Sequence, residues 1–165
     1  MARTICLRLL TIRARTRAEL AEALTARHVP EDAAHRVLDR LTAVRLIDDH
    51  AFAASFVESR HNDRGLARRE LSRQLRAKGV EDSVAAEAVA EVDPERERDT
   101  ARRLVQRKLR SMSRLEPHVQ TRRLAGMLAR KGYSPGMAFQ IVREVIGESA
   151  TRAYPSDSAD PAWLA

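Results

Sequence analysis

Apolar side chains return at four-residue steps through most of this 165-residue chain, and the same step pattern occurs three times. Leu20 and Leu24 ahead of Arg27-His28-Val29 line up with Leu71 and Leu75 ahead of Lys78-Gly79-Val80, and with Leu124 and Leu128 ahead of Lys131-Gly132-Tyr133. The register holds through the next segment: Ala33, Val84 and Met137 correspond, then Val37, Ala88 and Ile141, then Leu41, Val92 and Val145. A four-residue step keeps successive apolar groups on one side of an α-helix, so each helix carries a stripe to bury against its neighbours. The pattern predicts an all-α chain of three tandem three-helix repeats at residues 1–47, 48–93 and 94–147.

Residues between the stripes mark the helix ends. Ile5 to Arg13 read as a helix that starts close to Met1, and Thr16-Arg17-Ala18-Glu19 has the form of a capping box. Pro30 followed by Glu31 and Asp32 opens a third helix, with acidic groups at the positive end of its dipole. Asp48 is placed to cap the next helix, with Ile47 stapling against Phe52, and Phe52, Ala53, Phe56 and Val57 form an apolar face. Helices are expected at 49–62, 66–78 and 81–92, with Gly65 allowing the turn between the first two. Asp93-Pro94 opens a long helix over 94–112; one over 117–131 and a last opened by Ser134-Pro135 follow. Phe52, Phe56, Tyr133 and Phe139 are all read as lying on apolar stripes, which places them in the core. The pattern stops at Gly147. Residues 148–165 read as a mobile tail, in which Trp163 is either unattached or docks on the body or a partner.

Composition favours this reading. Hydrophobic residues make up 44% of the chain, yet they include only three Phe, two Tyr and one Trp, so Leu, Val and Ala must fill the interior. Charge adds something the apolar pattern does not show. The net charge is +7 and the sequence pI about 10.6, which points to a polyanionic or acidic partner. Residues 94–147 hold thirteen basic against five acidic side chains, whereas residues 48–93 hold seven against ten.

In the third repeat Arg103, Arg107, Arg110 and Arg114 fall at i, i+4, i+7 and i+11 of the long helix. Like charges at this spacing repel by a few tenths of a kcal/mol per pair, so stability does not explain the row. Arg102, Lys108, Arg122, Arg123, Arg130 and Lys131 add to it, and Arg68, Arg69, Arg73 and Arg76 form a smaller row in the second repeat. These are the candidate partner- or DNA-binding residues. They form either a face for phosphates or an acidic protein surface, or a plainly solvated helix face.

Candidate chemistry is sparse. The five histidines, His28, His35, His50, His61 and His118, have no second ligand at metal-binding spacing, and helix capping accounts for Asp48 in Asp48-Asp49-His50. No phosphate loop or dinucleotide fingerprint occurs, and nothing pairs Cys6 with a base. The chain therefore reads as a non-enzyme with no cofactor and no metal. A lone cysteine, no secretory signal and no apolar run of membrane-spanning length suggest a cytoplasmic protein.

Leu46-Ile47-Asp48-Asp49 with Phe52-Ala53, then Gly65, Arg68-Arg69, Leu71, Leu75 and Lys78-Gly79, resembles the signature of the RecX family of bacterial recombinase regulators. Arg13-Ala14-Arg15-Thr16-Arg17-Ala18-Glu19-Leu20 is similar to that family's first-repeat motif, and Leu128-Ala129-Arg130-Lys131-Gly132-Tyr133-Ser134 to its third. The resemblance covers about residues 5–147. It implies an elongated, curved array that binds the RecA recombinase and its filament on single-stranded DNA, limiting ATPase, strand-exchange and coprotease activities. The basic charge adds DNA as a further direct partner, and the chain is expected to be a monomer with no membrane partner. One departure stands out: His28 replaces the glycine of the other two repeats, so a looser turn is expected there.

Overall fold

A computed structural model describes residues 1–153, whose regular structure is all helical, with no strand among them. The helices are α1 (Ala2–Ile12), α2 (Arg17–Thr25), α3 (Glu31–Ala43), α4 (Asp49–Arg64), α5 (Arg68–Ala77), α6 (Asp82–Ala90), α7 (Pro94–Leu109), α8 (Pro117–Arg130) and α9 (Pro135–Ala153). None is long and apolar enough to cross a membrane. The chain divides into two compact units, Met1–Pro94 and Glu95 onward. Trp163 lies outside the described residues.

The leucines that set the repeat are the centre of the structure. Leu20, Leu24, Leu71, Leu75, Leu124 and Leu128 are all fully buried. Burial of each is worth roughly 1.5–3 kcal/mol, more than any surface contact in the molecule. Within the first unit, one core gathers Cys6, Leu20, Leu24, Leu38, Leu41 and Ile47, and a second gathers Ala53, Val57, Leu71, Leu75, Val84, Val89 and Val92. In the second unit Leu104, Val105, Leu124, Leu128, Tyr133, Ile141, Val142 and Val145 are buried.

The middle helix of each repeat ends in the same way. His28, Gly79 and Gly132 all sit at positive φ, 56°, 72° and 92°. The next N–H reaches back five residues in each case: Val29 to Leu24, Val80 to Leu75 and Tyr133 to Leu128, all at 3.1 Å. This left-handed cap closes the helix and fixes the entry to the third helix. The looser turn expected at His28 is therefore not found. His28 is exposed, and the turn accepts its left-handed strain in the open.

The two halves of the first unit are joined at the start of α2. The capping box forms as expected: Thr16 Oγ1 accepts from the Glu19 N–H, and Glu19 accepts from the Thr16 N–H. The Thr16 hydroxyl also donates to the Lys78 carbonyl at 2.7 Å, and the Arg17 N–H donates to Asp49 at 2.9 Å. Lys78 Nζ then meets Glu19 at 3.0 Å.

Four expectations change. Asp48 caps α4 by accepting from the Ala51 N–H, but Ile47 packs in the first core while Phe52 flanks the second, so Ile47 does not act as a staple. Phe139 is 48% exposed, because the buried stripe of α9 runs through Ala138, Ile141, Val142 and Val145 and leaves Phe139 one step off it. The long helix loses α-geometry after Leu109, and Arg110–Met112 form a 3-10 turn. There the Ser111 hydroxyl bonds back to the Lys108 carbonyl, as serine does where it competes with helix. Finally, α9 runs past Gly147 to Ala153.

Candidate interaction surfaces

The smaller arginine row lies on α5, and carboxylates of α5 and α6 engage Arg73 and Arg76. Glu70 holds Arg73 through two hydrogen bonds of 2.8 and 2.7 Å, and Gln74 adds a third bond to the same carboxylate. Arg73 beside it pulls the Glu70 carboxyl down to about 2. Arg76 is paired with Asp82 at the start of α6, at 2.8 Å. Arg68 is half-buried and Arg69 is exposed. An arginine already held by a carboxylate has less to offer an outside anion.

The third repeat differs along its length. Arg102 is tied to Glu148 and, at 3.5 Å, to Glu144, both on α9. Arg98 makes the matching fork onto Glu144 at 2.7 and 2.8 Å. These pairs staple α7 to α9. Arg103 donates to the Thr100 hydroxyl at 3.0 Å. Arg107, Lys108 and Arg110 are exposed, and no carboxylate pairs with them among the described residues. Arg114 lies in the turn after the 3-10 segment, so the helical register that would align it with Arg103, Arg107 and Arg110 is broken. Arg122 and Arg123 are exposed on α8. Arg130 is exposed and Lys131 half-buried at the far end of α8, roughly 12 Å along the axis from Arg122 at 1.5 Å per residue.

A groove on the first unit was not read from the sequence. Phe52 and Phe56 stack with ring centroids 6.0 Å apart, Lys78 Nζ lies 5.9 Å from both centroids, and the Arg60 guanidinium lies 5.2 Å from that of Phe56. The phenylalanines line an open cleft of about 740 Å3 together with Leu10, Arg15, Arg60 and Arg64. The signal was present: Phe52, Phe56, Arg60 and Arg64 continue one four-residue step along α4. Elsewhere, no group of three or more metal-ligating side chains gathers among the described residues.

Three three-helix units, with aliphatic cores and arginines on exposed helix faces, define a helical-repeat protein. Comparison with known proteins makes the class specific. Residues 2–41 match the RecX first three-helix domain, residues 48–89 the second and residues 95–142 the third. The regulatory protein RecX of Streptomyces coelicolor is 58% identical over 147 residues, 89% of this chain and 78% of that protein. That of Mycolicibacterium smegmatis is 52% identical over 146 residues, 86% of this chain and 77% of that protein. The crystal structure of RecX from Lactobacillus salivarius shares the fold, with a TM-score of 0.78 at 21% identity over 88% of this chain and 94% of its own. The chain belongs to the RecX family.

Proposed function

We propose that this chain is a non-enzymatic regulator of the RecA recombinase, which binds RecA or its filament on single-stranded DNA and inhibits ATP hydrolysis, strand exchange and coprotease activity. On this reading it works as a monomer in the cytoplasm, in DNA repair and the SOS response. The observation that carries the proposal is the run of relatives named regulatory protein RecX, which extends across nearly nine-tenths of the chain. Exposed cations support it: Arg107, Lys108 and Arg110 present charge that no neighbouring carboxylate satisfies among the described residues. Charge of this kind steers encounter with an acidic surface and orients the partner more than it adds affinity.

The deciding experiment titrates the protein onto RecA alone, single-stranded DNA alone and the preformed filament, at low and high salt, while following ATP hydrolysis. Inhibition at stoichiometric ratios, with tighter binding to the filament than to bare DNA, is expected. Unchanged hydrolysis and strand exchange would overturn the proposal. The same cations favour a second reading, a general nucleic-acid-binding helical protein that competes for DNA. In that case affinity for bare DNA equals or exceeds affinity for the filament and falls steeply with salt.

A further inference from the structure

The first and third helices of each repeat meet along a seam, and its charges differ between repeats. In the third repeat, bases on α7 face acids on α9: Arg98 with Glu144, and Arg102 with Glu144 and Glu148. In the second, His50 of α4 faces Glu87 of α6 at 3.8 Å. In the first repeat the same positions of α3 are reversed. The register that aligns Val37 with Ala88 and Ile141 sets Arg36 against Glu87 and Gln140, Arg40 against Glu91 and Glu144, and Val44, just past α3, against Glu148 of the third repeat.

The first helix of this repeat also brings a base to the cleft. Arg3 of α1, Arg36 and Arg40 of α3 line one cleft of about 370 Å3 whose floor is Val37, Leu41, Val44 and Leu46. All three arginines are exposed, and none has a carboxylate partner among the described residues. Of the acids on α3, Asp39 pairs with Arg17 at 2.6 Å and Glu31 with His35, while Asp32, one turn before Arg36, forms no ion pair with it among the described residues. Val44 and Leu46 are 56% and 52% exposed, an unusual state for two aliphatic side chains sharing one cleft. They are brought together by the left-handed turn at Arg45, φ 56°, where the Leu46 and Ile47 N–H groups both reach back to the Leu41 carbonyl.

We propose that the α1–α3 seam of the first repeat is a docking site for an acidic protein segment carrying aliphatic side chains, its carboxylates occupying the place that glutamates of the other repeats fill from within. The floor decides against phosphate as the ligand: four aliphatic side chains offer a nucleic-acid backbone nothing, whereas leucine-type anchors of an amphipathic helix fit such a groove. This goes beyond the regulatory reading above, because it concerns a different surface and does not require that the segment belong to the recombinase.

The test uses the full chain and a fluorescein-labelled synthetic helix with leucines at i and i+4 flanked by glutamates. Controls are the same helix with serine for leucine, and a labelled oligo-dT. Fluorescence anisotropy should show binding of the acidic leucine helix, at least about tenfold weaker in the double variant Arg36→Glu, Arg40→Glu and in Val44→Glu. It should be unchanged in Arg107→Glu, Arg110→Glu. The substituted positions are exposed and already carry Glu or Gln in the other repeats, and far-UV circular dichroism checks that the helices persist. The serine helix should bind at least about tenfold more weakly than the leucine helix. Equal binding by wild type and the double variant, or by the leucine and serine helices, would overturn the proposal. Loss of oligo-dT affinity in the Arg36, Arg40 variant but not in the Arg107, Arg110 variant would assign the seam to nucleic acid and overturn it as well.

Discussion

Gly79 packs so closely on Ala18 that a Cβ built on it would sit 2.2 Å from the Ala18 Cβ. The glycine does two jobs: it adopts φ 72° at the end of α5, and it lets the backbone there touch α2 of the preceding repeat. Gly79→Ala combines left-handed strain with overpacking, and a loss of at least about 2 kcal/mol is expected. Urea unfolding followed by circular dichroism measures it. His28→Gly, at the corresponding turn, should instead raise stability by up to about 1 kcal/mol, since it relieves left-handed strain at an exposed position.

Glu19 sets a pH dependence. Burial pushes its carboxyl up, but Arg13, Lys78 and the Thr16 N–H together hold it below its ordinary value of 4.5. A carboxyl with a lowered folded pKa gives stability that is complete above the unfolded value and fades as pH falls through the folded one. Glu19→Gln should therefore cost about 1–2 kcal/mol at neutral pH, and the gap to wild type should narrow as pH falls below 4.5. A gap that stays constant from pH 7 to about pH 3 would show that the carboxylate charge is not what matters.

Tyr133 should resist ionisation. Burial and the nearby Glu97 push its hydroxyl well above the ordinary 10.0, against a smaller opposing effect of Arg103. The folded chain then keeps a proton that the unfolded chain releases, so stability falls as pH rises past 10.0. In a Tyr154→Phe background, leaving Tyr133 as the one tyrosine, phenolate absorbance should appear together with loss of helix rather than before it.

Charge reversal should separate the arginine rows. Arg107→Glu with Arg110→Glu should weaken binding to single-stranded DNA, and each lost phosphate contact should lower the salt slope by about 0.7. Arg73→Glu with Arg76→Glu should have a smaller effect, because Glu70 and Asp82 already occupy those side chains. Equal effects from both pairs would count against ranking them by their ion pairing.

Periodicity made much of this structure legible. Leu20, Leu71 and Leu124 appear as one position used three times because burial depends on helical phase, and phase is written in spacing. Thr16 and Glu19 were readable for a similar reason, since a capping box is local. What stayed hidden depends on partners distant in sequence. Arg102 looks like its neighbours until Glu148, 46 residues on, takes it up. Asp49 looks like a second cap for α4 until it is found on the Arg17 N–H. The seam of the first repeat was hidden by averaging: counting charge per repeat pools Arg3, Arg36 and Arg40 with acids such as Asp39, which pairs with Arg17. The repeat alignment carried the signal, in the change from Arg36 and Arg40 to Glu87 and Glu91.

The start of α2 has a further consequence in time. Its first amide and its capping hydroxyl are completed by Asp49 and by the Lys78 carbonyl, 32 and 62 residues further along. During synthesis the opening helices can collapse on their own leucines, but that end of α2 remains unfinished until residue 79 has left the ribosome. The first repeat and the second thus mature together. An arrested nascent chain ending near residue 60 should show rapid hydrogen exchange at Arg17, and one ending well past residue 94 should not.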